Sequence, residues 1–357
     1  MSSGEGEPEI CLDLNGDSST QSTQCTTSAS LSYFEEWRYL FGGEDRLSRI
    51  RDACLNFALQ GSRFRSICWR MLLQCLPSDM SLWTETLQTG RQRYTDLKQK
   101  AGQSSGDWIR CNPLSLAEEN PWQQYFCDKE LRAFIQQDVE RTFPELDYFQ
   151  SQDVRHMMTD ILFVYGRENP HVAYKQGMHE ILGPLIFVLF YDQQAFANTC
   201  ESVADSSTDA TPMRILREVT DCNFLEHDAF LMFSQIMRII QPWYYCPEAS
   251  PKQPQDPSDL EPFSRAQDTG PTSALVRKLN WIGDTLLKQA DFPLYKHLEN
   301  LEIAPQIYGI RWLRLLFGRE FPIQDLHLVW DAIFADGPAF LLVDHIFVAM
   351  LIFIRDL

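Results

Sequence analysis

The stretch DVRHMMTDILFVY, residues 153–165, decides the fold. Its apolar residues Val154, Met157, Met158, Ile161, Leu162 and Tyr165 stand at i, i+3, i+4, i+7, i+8 and i+11. That is the stripe of an amphipathic α-helix, not the alternation of a strand. Similar spacing spreads outward in both directions. Upstream it covers Phe34, Trp37 and Leu40, then Leu55, Ala58 and Leu59 before Gly61. It continues over Phe64–Leu76 as far as Pro77, over Met80–Lys98 with Leu82, Trp83 and Leu87, and over Leu131–Arg141. Downstream, helices are expected over His179–Phe190, Asp228–Ile240, Leu275–Gln289, Ile307–Phe317, Ile323–Phe334 and Phe340–Arg355. Neither alternating strands nor an internal repeat stands out, so the expected class is all-α.

The 357 residues are 44% hydrophobic and 12% aromatic, enough for a sizeable core without disulfides or metal. The ten cysteines include no C-x-x-C pair. Cys68 and Cys75 lie in apolar helical stretches and read as small buried hydrophobes of a reducing compartment. The net charge of −18 argues against nucleic acid and against direct adsorption to an anionic membrane. Ile181–Phe190 and Phe340–Ile354 are shorter than the roughly 20 residues a bilayer requires, and no secretory signal is apparent. The expected setting is therefore cytoplasmic.

Residues 1–31 are rich in Ser, Thr, Gly and Glu and are expected to be disordered, with ordered sequence from residue 32 to 357. Long loops are expected at residues 100–122 and 247–271, and a flexible polar insert at 198–212.

Conventional catalytic motifs are missing. No P-loop, nucleophile elbow or kinase signature is present. His179-Glu180 begins like a zinc-protease motif, but position 183 is Gly, so no metal site is expected. Three short motifs remain. Arg65 and Trp69 stand at i, i+4 and read as a structural Arg beside a core Trp. Asp138 and Arg141 stand at i, i+3, and Pro144 places the helix end near Arg141. Alone, that pair reads as a surface salt bridge. Tyr174-Lys-Gln176-Gly177-Met178 precedes an apolar helix, and Gly177 permits a sharp turn that could aim the Gln176 amide. Alone, it reads as a capped loop.

In this order, R-x-x-x-W, I-x-x-D-x-x-R and Y-x-Q-G-M resemble the TBC domain of Rab GTPase-activating proteins, without substitution at the defining positions. Arg311-Trp312-Leu313, Leu316–Phe321 and Trp330-Asp331 resemble that domain's C-terminal half, so the resemblance covers roughly residues 35–357. It implies two helical subdomains with long loop insertions. The family domain usually runs somewhat beyond the position of Leu357, which leaves truncation open. The stretches Phe64–Trp69, Tyr174–Glu180, Glu302–Tyr308 and Leu315–Pro322 narrow the resemblance to members that act on endosomal Rabs and associate with retromer.

The resemblance assigns Arg141 as an arginine finger and Gln176 as a second finger that orients the attacking water. Tyr174 and Asp138 would fix them. The chain would activate a GTPase and have no hydrolase activity of its own. It would need no cofactor, because Mg2+ and GTP belong to the partner Rab. The competing class is a TBC scaffold that binds partners with little catalysis. Keeping both Arg141 and Gln176 favours activity.

Two further segments invite partner binding. Asn112-Pro113-Leu114 is an apolar tip in a polar loop, and Pro113 can preset a turn that presents Leu114. The resemblance makes it a docking element for a retromer subunit at endosomal membranes. Leu114 tucked onto its own domain is the alternative. Glu35-Glu36-Trp37-Arg-Tyr-Leu40 has the form of segments that add a strand to ubiquitin-like autophagy modifiers, which would recruit the chain to autophagosomal membranes. Trp37 and Leu40 also stand at i, i+3, and the core-helix reading is favoured.

Overall fold

The computed structural model describes residues 32–103, 121–203, 210–245 and 273–356, and every regular element among them is helical. In chain order the helices are α1 Tyr33–Phe41, α2 Arg46–Leu55, α3 Arg65–Leu72, α4 Trp83–Gln103, α5 Pro121–Val139 and α6 Asp147–Gln150. Then come α7 Gln152–Glu168, α8 Met178–Val203, α9 Ala210–Val219 and α10 Leu225–Tyr244. The C-terminal part holds α11 Ala274–Trp281, α12 Lys288–Ala290, α13 Phe292–Asn300, α14 Gln306–Arg314, α15 Ile323–Asp336 and α16 Leu342–Phe353. A π-helical stretch, Ile282–Leu287, joins α11 to α12. The amphipathic stretch 153–165 lies within α7, with Val154, Met158, Ile161, Leu162 and Tyr165 buried.

Residues 1–31, the Asn112-Pro113-Leu114 tip and all of 247–271 lie outside the described residues. Helix reaches further into the expected insertions than their composition suggests. α4 runs to Gln103, α5 starts at Pro121, α8 runs to Val203 and α9 starts at Ala210. Pro121 and Pro212 fall in first turns, where a backbone N–H has no intrahelical partner to lose. Cys68 is buried, whereas Cys75 is only half-buried, in the turn after α3.

The N-terminal segment answers the choice left open for Trp37 and Leu40. Both are core residues, only 5% and 2% exposed. Ser32 and Glu35 form a reciprocal cap at the start of α1. Glu36 is buried and accepts hydrogen bonds from Ser62 Oγ at 2.6 Å and Arg63 Nε at 2.8 Å. Trp37 packs on the rings of Phe41, Phe64 and Trp83, with centroids 4.4, 5.5 and 6.4 Å away. Strand addition would have to unfold α1 and empty this cluster, so in this fold Trp37 and Leu40 serve the core.

The two ends of the chain interlock. α15 packs along α2 and α3. The Trp69 indole donates to Asp331 Oδ1 at 2.7 Å, and Arg65 Nε reaches the same oxygen at 3.2 Å. Arg65 also donates to the Leu59 carbonyl at 2.7 Å. Burial pushes the Asp331 carboxyl up to about 6 while Arg65 and Trp69 oppose that rise. Arg65 and Trp69 thus tie α3 to α15, as their spacing suggested.

A second buried ion group joins four helices. Asp228 of α10 accepts from Arg91 of α4 through Nε and Nη2, both at 2.9 Å, and from Arg70 Nη1 of α3 at 3.2 Å. Arg70 Nη2 also donates to the carbonyl of Val219 in α9, and Arg91 Nη2 to that of Glu218, each at 3.0 Å. All three side chains are at most 4% exposed.

Candidate functional site

The site is built where α5 ends. Pro144 keeps the chain from continuing as helix, and α5 closes with tight turns. Arg141 N–H bonds the Asp138 carbonyl at 3.3 Å, and Thr142 N–H bonds the Val139 carbonyl at 3.1 Å. Phe143 then adopts a left-handed φ of +41°, a strained state for an aromatic residue. α8 presses against this exit. A Cβ on Gly183 would lie 3.0 Å from the Phe143 ring and 3.2 Å from Thr142 Cγ2. A side chain there would have to push the Phe143 ring or Thr142 aside by a few tenths of an ångström.

Asp138 is the anchor. Its side chain is 2% exposed, and Arg141 donates to its Oδ1 while remaining 48% exposed itself. One end of the guanidinium is therefore held and the rest faces outward. The other oxygen, Oδ2, accepts the Tyr174 hydroxyl at 2.7 Å. Burial holds the Tyr174 hydroxyl well above the usual phenol range, and the bond to Asp138 adds to this. The hydroxyl keeps its proton and spends it on Asp138. His179 Nδ1 lies 3.1 Å from the same hydroxyl oxygen, so the hydrogen between Tyr174 and His179 belongs on Nδ1.

Tyr174 sits two residues before Gln176. The segment between α7 and α8 turns sharply, with Ala173 at φ +54° and Gly177 at φ +104°. A Cβ at Gly177 would stand 2.7 Å from Leu315 Cδ2, so the turn needs glycine for both φ and space. Gln176 is exposed, whereas Tyr174, Gly177 and Met178 are buried. Leu315 belongs to a second unusual turn, after α14, where Leu316 and Phe317 have φ of +44° and +64°. Trp330 Nε1 donates to the Leu316 carbonyl at 2.9 Å, and the Tyr244 hydroxyl donates to the Arg314 carbonyl at 2.6 Å. This second turn ends the expected Ile307–Phe317 helix at Arg314 and backs the Gln176 loop.

The geometry joins Asp138, Arg141 and Tyr174 in one buried-to-surface network, and Gln176 is exposed two residues beyond Tyr174. It does not include Arg65 or Trp69. It adds three residues that motif spacing did not mark as part of the site. His179 Nε2 lies 3.4 Å from Glu180 Oε1. Glu180 is gripped by Arg319, through Nε at 2.7 Å and Nη2 at 2.6 Å. Burial alone would raise the Glu180 carboxyl, but His179 and Arg319 hold it below the usual range. Arg319 and Glu180 are 139 positions apart, so local spacing could not pair them. Arg311 instead pairs with Glu320, the carboxylate nearby, at 2.7 Å.

Among the described residues no group of three or more His, Cys, Asp or Glu is placed to hold a metal, and no helix is long and apolar enough to cross a membrane.

Comparison with known proteins agrees with the three motifs. The sequence matches the Rab-GTPase-TBC domain over residues 62–254 and 269–356. It is 48% identical over 346 residues to TBC1 domain family member 5 of Homo sapiens, across 94% of this chain and 42% of that protein. It is 28% identical over 388 residues to TBC1 domain family member 5 homolog B of Dictyostelium discoideum, across 84% of this chain and 37% of that protein. The chain thus spans well under half the length of these curated relatives. Its fold is similar to the crystal structure of the Ypt/Rab-GAP domain of Gyp1p, with a TM-score of 0.63 at 18% identity, over 91% of this chain and 87% of that one. The family match over most of the sequence, with an all-helical fold that carries its three motifs, shows that the chain belongs to the Rab-GTPase-TBC domain family.

Proposed function

We propose that this chain accelerates GTP hydrolysis by a Rab-type GTPase, lending it Arg141 and Gln176 in trans. One observation carries the reading. A half-exposed arginine is clamped by a buried aspartate, and the same aspartate fixes the tyrosine two residues before an exposed glutamine. Two polar groups are thereby presented from one rigid network.

Phosphoryl transfer leaves a protein little covalent work to do. Rate comes from positioning and from stabilising charge on the transferred phosphoryl oxygens. The Arg141 guanidinium stays charged and forked, which suits two phosphate oxygens at once. The Gln176 amide can accept from and donate to an attacking water. Mg2+ and the nucleotide are held by the GTPase, so the chain's contribution is two side chains and their alignment.

The resemblance to endosomal, retromer-associated members supports an endosomal Rab as substrate. It also supports Pro113-Leu114 as the element that docks retromer and brings the chain to endosomes.

The test is single-turnover GTP hydrolysis across a panel of Rab proteins, with wild type beside Gln176→Ala. Wild type is expected to stimulate at least one Rab by about 10³-fold or more. Gln176→Ala is expected to cut that stimulation by about 100-fold, the usual cost of a misplaced reactant. A panel in which no Rab responds, while GTP-form Rab still binds, would establish the scaffold reading instead.

A further inference from the structure

We infer that Phe134 is a docking contact for the GTP-bound GTPase, on the ridge of α5 that leads to Arg141; this inference rests on the function proposed above. Phe134 is 46% exposed, although it stands one helical turn before Asp138 and two before Arg141. Its ring meets the Tyr174 ring edge-on, with centroids 5.7 Å apart and planes at 75°. Tyr174 is itself 4% exposed and fixed through its hydroxyl. The exposed aromatic is therefore seated on the same rigid support that aims the finger.

Distance decides what covers it. The five residues of helix from Phe134 to Val139 advance about 7.5 Å, and Arg141 follows two residues later. A standard interface buries about 800 Å² per partner, a patch roughly 15 Å in radius. A GTPase that takes Arg141 into its nucleotide site cannot avoid the surface around Phe134. The chemistry of that surface fits such a role. Between Glu130 and Glu140 the exposed residues of α5 are Ala133, Phe134, Gln136 and Gln137, none of them charged, and the part-exposed Arg132 is paired with Asp160 at 2.6 Å. Little unpaired charge therefore borders Phe134 on this stretch of helix. Interface centres are depleted of charge and enriched in aromatics, and a few such anchors carry most of the affinity. Phe134 loses little freedom on binding because Tyr174 already holds it, which favours affinity.

The matching surface on the GTPase is the switch region, ordered by the γ-phosphate and released after hydrolysis. Phe134 would then favour the GTP form over the GDP form. Its part is affinity, and the chemistry stays with the fingers.

The experiment is steady-state kinetics of Phe134→Glu, Phe134→Ala and Phe134→Leu on the Rab most strongly stimulated in the panel. Direct binding of the same variants to that Rab, loaded with a non-hydrolysable GTP analogue, runs alongside. Phe134→Glu is expected to raise KM and the dissociation constant at least about 10-fold while kcat stays within about twofold. Phe134→Leu should recover most of the affinity. An unchanged KM in Phe134→Glu, with wild type active, overturns the docking role and leaves the proposed function standing. A fall in kcat at constant KM also overturns it, since the ring would then serve only to prop Tyr174. If wild type neither binds nor stimulates any Rab, the proposed function fails first.

Discussion

Arg141→Ala is expected to lower stimulated GTP hydrolysis by about 10³-fold or more, under single-turnover conditions with the chain in excess. The size follows from what a finger supplies. An arginine provided in trans to a GTPase contributes about 10³–10⁵ in rate, or roughly 4–7 kcal/mol of barrier. The fold should survive. Arg141 is half-exposed, and Asp138 keeps its bond to Tyr174 when the guanidinium is gone. The stability change should be about 1–3 kcal/mol, because Asp138 is left buried with Tyr174 still donating to it. Arg141→Lys keeps the charge but loses the fork and should rescue only a small part of the rate. Binding to the GTP-loaded Rab should weaken far less than the rate, because the guanidinium acts most strongly on charge that develops in the transition state. A variant retaining more than a tenth of the wild-type stimulation would remove Arg141 from the mechanism.

Asp228→Ala should have the largest effect on stability. Arg70 and Arg91 are each at most 4% exposed, and both aim at this one carboxylate. Burial already pulls the Arg70 guanidinium below its usual range, against the pull of Asp228. Without Asp228, two buried cations face each other with only the part-exposed Glu218 carboxylate, 3.8 Å from Arg91 Nη1, near them. Breaking a buried pair in this way costs about 3–5 kcal/mol, much of it the penalty of the stranded charge. In a domain of this size that lowers Tm by roughly 5–10 °C. The effect should appear in the midpoint of urea unfolding. It should leave the rate per folded molecule unchanged well below the midpoint, because Asp228 lies outside the Arg141 network. A Tm within 2 °C of wild type would mean that the two arginines find other partners.

The helical class was legible because amphipathic spacing survives in a single sequence. Residues 153–165 alone give six apolar residues on one face. The helix ends were less legible where tertiary contacts set them. The helix expected through Phe317 stops at Arg314, because Leu316 and Phe317 enter left-handed turns held by Trp330 and backed against Gly177. α13 went unread, although Asp291 caps it by accepting from Leu294 N–H at 2.9 Å and Pro293 lies in its first turn. Its apolar face was too short to show a period.

The candidate site divides in the same way. Asp138 and Arg141 share a helix, and Tyr174 and Gln176 share a turn, so local spacing and motif order exposed them. Glu180 with Arg319 depends on a contact between distant segments, and Phe134 depends on exposure. Neither property is written in local order. Trp37 and Leu40 show the opposite difficulty. Their spacing fits both a docking strand motif and a core helix in sequence, with the core helix favoured. The neighbouring Phe64 and Trp83 rings decide for the core.

The central claim is that both catalytic side chains come from this chain. It is tested most directly with a responsive Rab whose own water-orienting glutamine has been replaced by alanine. Wild type is predicted to stimulate that Rab to within about tenfold of its effect on the unmodified Rab, because Gln176 takes over the task of orienting the water. Gln176→Ala is predicted to stimulate either Rab about 100-fold less than wild type does. If stimulation vanishes with the glutamine of the GTPase and is indifferent to Gln176→Ala, the account of Gln176 as a second finger is contradicted.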